Sequence, residues 1–209
     1  MSQLDKSKIL SIIEEGGSLS GEDMSFLDLS RIDFKGCDLS GSTLTGAKLT
    51  GANLSKCNLT DAFMAEVIAE ETNFREAKMN DVFFQRGNIT NADFSGASMV
   101  EASIFIMKAK ETLFNNADLR GTQILRSNMT GASFINAVME NSSLKGSDIQ
   151  DCNFQNATMT NCDMRQVRPQ GANFEDANTE GVLFYGKPPW GGESEDRDWA
   201  SELPFSQDE

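Results

Sequence analysis

A strict five-residue repeat constrains the fold of this chain more than any other feature. Every fifth residue from Leu19 to Phe184 gives a set of 34 positions, of which 30 are Leu, Ile, Met or Phe. Of the 31 positions that lie two residues earlier, from Ile32 to Val182, 29 hold Gly, Ala, Ser, Cys, Thr or Val. A period of five fits neither an α-helix nor a single long strand. The pattern predicts short extended segments joined by corners, with two inward side chains in every five residues.

Phenylalanine residues indicate how many five-residue units make one turn of the coil. They recur every 20 residues from Phe74 to Phe174, and Phe34 belongs to the same series, which only Leu54 interrupts. Four units per turn place like side chains above one another in adjacent coils. Gly, Asn and Asp, which tolerate the backbone angles of turns, occupy many of the intervening corners. At about 4.8 Å per coil, residues 17–186 are expected to form about 8.5 coils, a rod roughly 40 Å long.

The volumes of paired inward positions compensate for one another. Where the central residue is small or awkward, the residue two positions earlier is bulky instead. The three pairs are Ala69 with Val67, Ala109 with Met107, and Pro169 with Val167. Because protein interiors are close-packed, volume lost at one inward position must be recovered nearby. The compensation indicates that both positions point inward.

The repeat resembles that of the pentapeptide-repeat family. The units that best match the family consensus are Ala52-Asn53-Leu54, Ala117-Asp118-Leu119 and Ala172-Asn173-Phe174. The resemblance covers residues 17–186 and implies an all-β fold, a right-handed quadrilateral β-helix. The handedness is implied by the resemblance and not by the spacing.

Two terminal segments flank the predicted β-helix. Residues 1–16 are expected to form a short amphipathic helix that caps the first coil, because open solenoid ends must be covered; a docking helix for a partner is the alternative. Residues 187–209 cannot continue the repeat, since two prolines follow Lys187, and they carry a net charge of −5. The apolar residues of this acidic tail are Trp190, Trp199, Leu203 and Phe205. The tail is expected either to fold back as a second cap or to hang free.

Composition disfavours several classes of function. The formal net charge of −14 repels phosphate backbones and anionic lipids, so direct binding of nucleic acid is not expected. The chain has no His and no glycine-rich phosphate loop, and we expect neither an enzyme nor a cofactor or metal site. The polar start and the lack of a long apolar run predict no membrane span and a cytoplasmic location.

The cysteines follow the repeat. Cys37, Cys57, Cys152 and Cys162 all occupy the small inward position. In a cytoplasmic protein they are expected to be buried, reduced thiols rather than metal ligands. Cys37 and Cys57 are 20 residues apart and so stack in adjacent coils, a separation that a disulfide could span.

A row of apolar residues occupies positions that the repeat directs outward. This apolar stripe, as we name it, consists of Phe63, Phe83, Phe105 and Leu125, on one side of the coil in four successive turns. Ile68 and Ile106 are expected to lie nearby. Contiguous exposed apolar surface usually marks an interface, so the stripe is predicted to contact a partner or a second copy. The alternatives are that a terminal segment covers it, or that the coil is distorted beside Ala69 and Ala109.

Acidic residues occupy five successive corners around the rod. They are Asp61, Glu66, Glu71, Glu76 and Asp81. The corners of a convex rod diverge, so these groups cannot converge on a substrate as a catalytic pair would. They are expected to form a solvated surface. The alternative is a patch that imitates the phosphates of DNA or meets a basic partner.

Two functions are consistent with these observations. The first is a non-enzymatic scaffold or adaptor that presents a rigid face to another protein or to a second copy, as a homodimer. The alternative comes from the resemblance: some members of the family bind DNA gyrase as dimers by imitating duplex DNA, and protect it from quinolones or inhibit it. The quinolone-resistance members interrupt their repeats with projecting loops, whereas the register here is continuous.

Overall fold

The computed structural model describes residues 4–191, which wind into a four-sided β-helix. Four short parallel strands form one side in the order β1-β2-β3-β4. They are β1 (Phe63–Ala65), β2 (Phe83–Gln85), β3 (Ser103–Phe105) and β4 (Gln123–Leu125). On all sides, residues in adjacent coils pair at an offset of 20, from the bridge Asp23–Thr43 to the bridge Asp163–Leu183. The predicted four units per coil and the predicted fold class are confirmed.

The backbone conformation of the corners explains the five-residue period. From Gly16 to Gly186, every fifth residue has a positive φ. This left-handed conformation turns the chain from one side to the next while its amide still bonds to the neighbouring coil. The Asp61 amide, for example, donates to the carbonyl of Asn80 at 3.0 Å. Because Gly, Asn and Asp adopt left-handed angles most readily, they are frequent at the corners.

In many units, a polar residue before the centre secures the bend that leads into a corner. Its side chain accepts a hydrogen bond from the backbone amide two residues further on, a local turn that Asp and Asn favour. Asp38 accepts from Ser40 and Asn128 from Thr130, both at 3.1 Å. Hydrogen bonds from Ser40 also hold the pKa of Asp38 below its ordinary value.

A stack of phenylalanine rings runs through the core. Neighbouring rings are nearly parallel, with centroids 4.6–5.1 Å apart. The stack consists of Phe74, Phe94, Phe114, Phe134, Phe154 and Phe174. The first five are fully buried. From Phe74 to Phe174, the 20-residue series of the sequence is therefore one continuous column of rings.

The compensating pairs lie inside the coil as expected. Ala69, Val67, Ala109 and Met107 are all buried. Gly87 lies between Val67 and Met107 in the column of small inward positions. A Cβ atom at Gly87 would lie only 2.6 Å from the carbonyl oxygen of Val67. Glycine therefore leaves the space that Met107 fills. The third pair, Pro169 and Val167, is half-buried near the end of the rod.

One helix, α1 (Lys6–Glu14), packs against the N-terminal end of the coil. Asp5 caps it by accepting a hydrogen bond from the amide of Lys8 at 2.9 Å. Ile9 is fully buried, and Ile12 is partly buried against the core. The apolar face of α1 is therefore turned toward the chain's own interior.

Trp190 covers the other end of the column. Its ring centroid lies 5.3 Å from those of Phe174 and Phe184, with edge-to-face geometry in both cases. Trp199, Leu203 and Phe205, the other residues proposed for a C-terminal cap, lie outside the described residues.

Candidate interaction surface

The apolar stripe lies on the side that carries β1–β4, which we call the strand side. Phe63 is 42% exposed, and its ring stacks on Phe83 with centroids 4.9 Å apart. The Phe83 ring lies 6.0 Å from that of Phe105, which pairs with Leu125 in the following coil. Phe83, Phe105 and Leu125 are each partly exposed. The structure therefore places all four residues on the outer surface as one contiguous band.

The stripe crosses the strand side diagonally. Its first two members precede the buried centre of their strand, and its last two follow it. The residues at the other end of β1 to β4 are, in order, Ala65, Gln85, Ser103 and Gln123, of which Ala65 is buried and the other three are partly exposed. In each of the four coils, one large apolar side chain therefore lies beside one smaller or polar side chain.

Two corner columns of different charge border the stripe. The acidic edge, on the side where the chain enters the strands, consists of Asp61, Asp81 and Glu101. The mixed edge, where the chain leaves the strands, consists of Glu66, Arg86, Ile106 and Arg126. All seven residues are exposed. A side chain at Gly121 would collide with the Glu101 carboxylate, which therefore lies over Gly121 in the coil that also carries Arg126.

Two large apolar residues occupy corners that favour glycine. Ile106 has φ 56° and is 47% exposed, and Phe26 has φ 62° and is 74% exposed. Both belong to the same column of corners, where the Phe26 ring lies across Gly46. Left-handed angles cost an L-residue roughly 1–2 kcal/mol, and a β-branched residue is the least suited to them. Neither backbone preference nor burial accounts for these side chains, and such outliers cluster at functional positions.

Ile68 is 38% exposed but lies around the corner from the stripe. It follows Glu66 by two residues and bridges to Lys48 and Asn88 on the adjoining side of the coil. Of the two isoleucines expected near the stripe, Ile106 therefore borders it directly, whereas Ile68 lies beyond the Glu66 corner on the next side.

The five corner acids predicted as a ring are all exposed and all left-handed. They are distributed over the four edges of the rod, and only Asp61 and Asp81 share an edge. Negative charge is more concentrated on the side that ends at the acidic edge. Its outward residues include seven acidic and two basic ones: Asp38, Asp61, Asp81, Glu101, Asp118, Glu140 and Glu180, with Lys78 and Arg120. We call this the acidic side.

A partly buried ion pair lies on the strand side, toward the C-terminal end of the rod. The Arg165 guanidinium contacts the Asp163 carboxylate at 2.7 Å. Burial opposes ionisation of Asp163, but hydrogen bonds from the side chain and backbone of Arg165 outweigh it and hold the pKa of Asp163 below its ordinary value. The carboxylate is therefore committed to a local pair.

The cysteine thiols lie in surroundings that disfavour their ionisation. Cys57, Cys152 and Cys162 are buried, and burial raises the pKa of each thiol to about 12. Cys37 is half-buried, and burial raises its pKa as well. All four are free thiols, so the stacked Cys37 and Cys57 form no disulfide in the structure.

Concave and metal-binding features are sparse in residues 4–191. A shallow depression of about 320 Å³ lies between α1 and the first coil, lined in part by Ile13, Lys35, Cys37 and Asp38. No group of three or more His, Cys, Asp or Glu residues in this range could hold a metal ion. The one helix of this range is too short to cross a membrane.

Comparison with known families decides the relationship that the repeat suggests. The family model described as "Pentapeptide repeat region" matches residues 41–124, and that described as "Pentapeptide repeats (8 copies)" matches residues 127–166. Together they cover more than half of the chain. The chain is a pentapeptide-repeat protein. No curated protein sequence matches it.

Solved structures of other pentapeptide-repeat proteins share the fold. Full-length QnrB1, a plasmid-mediated fluoroquinolone resistance protein, is 21% identical, covers 88% of this chain and 89% of its own, and superposes with a TM-score of 0.51. A trypsin-treated QnrB1 variant is 22% identical, with 79% and 84% coverage and a TM-score of 0.51. HetL, from the cyanobacterium Nostoc sp. strain PCC 7120, is 19% identical, with 87% and 97% coverage and a TM-score of 0.34. At these identities the likeness to QnrB1 shows the fold alone.

Sequence reasoning identified the stripe and some of the residues that border it, but not the two edges of different charge. Phe26 and Arg86 lie at corners, about which the inward positions of the repeat carry no information. A signal was available for Phe26, since a large apolar residue at a corner departs from the Gly, Asn and Asp found there. No sequence signal indicates that the Glu101 carboxylate lies over Gly121.

Proposed function

We propose that this pentapeptide-repeat protein is a non-enzymatic scaffold whose strand side binds another protein through the apolar stripe. The observation that carries the proposal is Ile106. It is exposed, apolar and held in a conformation that disfavours it, directly beside Phe105. A residue that costs stability and solubility in the free chain is explained if it is buried in a complex.

The surroundings of the stripe support this role. A ridge of aromatic side chains with a charged rim is the usual composition of a protein interface. The parallel ladder fixes the relative positions of the stripe residues, so little conformational entropy is lost when they are buried in a contact. A rigid, pre-ordered surface of this kind suits a scaffold.

The proposal is tested by replacing Phe83 and Phe105 with serine in one chain. Both side chains point outward, so the coil should stay folded by circular dichroism while stripe-dependent association is lost. Leu113→Ser is a matched control, because Leu113 is 37% exposed on a different side of the rod. If self-association and every captured partner survive the double substitution, the stripe is not the contact surface.

A second candidate function is imitation of DNA toward DNA gyrase or another topoisomerase. It is favoured by the acidic side, where Asp61, Asp81 and Glu101 follow one another at the spacing of the coils. QnrB1, which shares the fold, is a fluoroquinolone resistance protein. One observation counts against this function: the continuous ladder of bridges from Asp23 to Leu183 leaves no projecting loop in the coil, whereas the quinolone-resistance members have such loops.

A supercoiling assay with gyrase, with and without a quinolone, tests this second function. Protection or inhibition should require the acidic edge and should be weakened in a chain with Asp61→Asn and Asp81→Asn, since Asn tolerates the corners. The control is a chain with Glu71→Asn and Glu111→Asn, which removes two carboxylates from a different edge. The absence of any effect at micromolar protein would eliminate DNA mimicry.

A further inference from the structure

The two edges that border the apolar stripe differ in charge, and this difference selects a partner. The acidic edge carries three carboxylates and no base, whereas the mixed edge carries two arginines and one carboxylate. A surface that is acidic on one edge and more basic on the other is complementary to a second copy of itself when a two-fold axis parallel to the rod relates the two copies. We infer that the strand side binds a second copy of this chain, face to face and with the two rods parallel. This inference rests on the proposed role of the stripe and names its partner.

The outward residues of β1–β4 fit this arrangement sterically. A two-fold axis parallel to the rods places each coil opposite the same coil of the second copy and exchanges the two outward columns. Phe63 then lies over Ala65, and Phe105 over Ser103, of the other chain. Each large apolar residue of the stripe faces a smaller or polar residue, so the two diagonal bands interdigitate instead of colliding.

Charge distinguishes the parallel arrangement from the antiparallel one. In the parallel dimer the acidic edge faces the mixed edge, which brings Asp81 opposite Arg86 of the second copy. The Glu101 carboxylate, which lies over Gly121, is then in the same coil as Arg126 of the second copy. Asp61 facing Glu66 is the one like-charged pair. In an antiparallel dimer the acidic edge would face another acidic edge, and close like charges across an interface are strongly unfavourable.

The test uses full-length protein and sedimentation velocity over a range of concentrations. The wild-type chain is expected to dimerise. Asp81→Arg places two arginines opposite each other and Arg86→Asp places two aspartates opposite each other, so each variant alone should dissociate at least about tenfold more readily. Mixed in equal amounts, the two variants should form a heterodimer of near wild-type affinity, since both contacts become attractive again.

Glu111→Arg is the control, because Glu111 is an exposed corner residue on the opposite edge of the rod and should leave dimerisation unchanged. Arg86 already occupies a left-handed corner, so arginine at position 81 is compatible with the coil. Asp81→Asn, which removes charge and suits the corner, should give an intermediate weakening.

Three results would overturn the inference. The first is a wild-type chain that stays monomeric at every concentration. The second is tighter dimerisation of Asp81→Arg, which an antiparallel pair requires. The third is a mixture of the two variants that stays monomeric. If the wild-type chain is monomeric yet the Phe83 and Phe105 double variant loses a different protein, the dimer is disproved while the proposed scaffold function stands.

Discussion

Replacing Phe114 with alanine is expected to lower the free energy of unfolding by about 3–5 kcal/mol, the range for removing a buried aromatic ring. Phe114 is fully buried, with the rings of Phe94 and Phe134 at 5.1 and 5.0 Å. The substitution opens a cavity in the middle of the column and removes two stacking contacts, each worth roughly 0.5–1.5 kcal/mol. Denaturant unfolding monitored by circular dichroism measures the loss.

Phe63→Ala is the matched control for this prediction. It deletes the same atoms from an outward position that is 42% exposed and has one stacking partner, Phe83. Its expected cost is under about 1.5 kcal/mol, because much of the ring is already in water. Phe114→Leu should fall between the two, since Leu54 occupies the same column naturally. Equal losses for Phe114→Ala and Phe63→Ala would show that the inward column does not carry the core.

Replacing Ile106 with glycine is expected to raise stability while abolishing the contact made by the stripe. Glycine relieves the left-handed strain at φ 56°, a gain of about 1 kcal/mol after its larger unfolded-state entropy is counted. For a chain of this size, that gain corresponds to a midpoint about 2–4 °C higher. Thermal unfolding at concentrations too low for association measures the stability of the single chain without a contribution from binding.

Asn116→Gly is the control for the glycine substitution. Asn116 has nearly the same backbone angle, φ 58°, on another edge, but asparagine tolerates it, so its replacement should change stability and binding little. A loss of stability in Ile106→Gly would mean that the isoleucine packs usefully within its own chain. The proposed reason for its presence would then be wrong.

A rise in stability together with a loss of binding would be the mark of a residue retained for function. Natural proteins commonly give up stability at the sites where they act, and replacing such residues then stabilises the chain. In residues 4–191, the large apolar side chains at left-handed corners are Phe26 and Ile106, and both lie on one edge of the strand side.

Much of the fold could be predicted from the sequence because one short rule is repeated. The five-residue register assigns each side chain to the interior or the surface without reference to distant residues, and the 20-residue series of Phe aligns the coils. Cys152 and Met107 were predicted to be buried on this basis, and both are. The outward placement of Phe63 and Phe83 could be predicted by the same counting.

The arrangement of charged side chains around the stripe could not be predicted in this way. The register does not show which of the four sides pairs as continuous strands, because that depends on backbone angles at each position. Nor does it show where a long side chain at a corner extends, as Glu101 does over Gly121. Contacts of this kind depend on side-chain conformation, which the spacing of residues leaves free.

By itself the sequence determined that the chain is a four-sided coil with a column of aromatic rings inside and a band of apolar residues outside, because burial in every coil obeys the same period. Only the tertiary structure decided the backbone angles of the corners and the placement of the charged side chains that border that band. These features arise where side chains of different coils meet on the surface, and there no repeating requirement for burial restricts them.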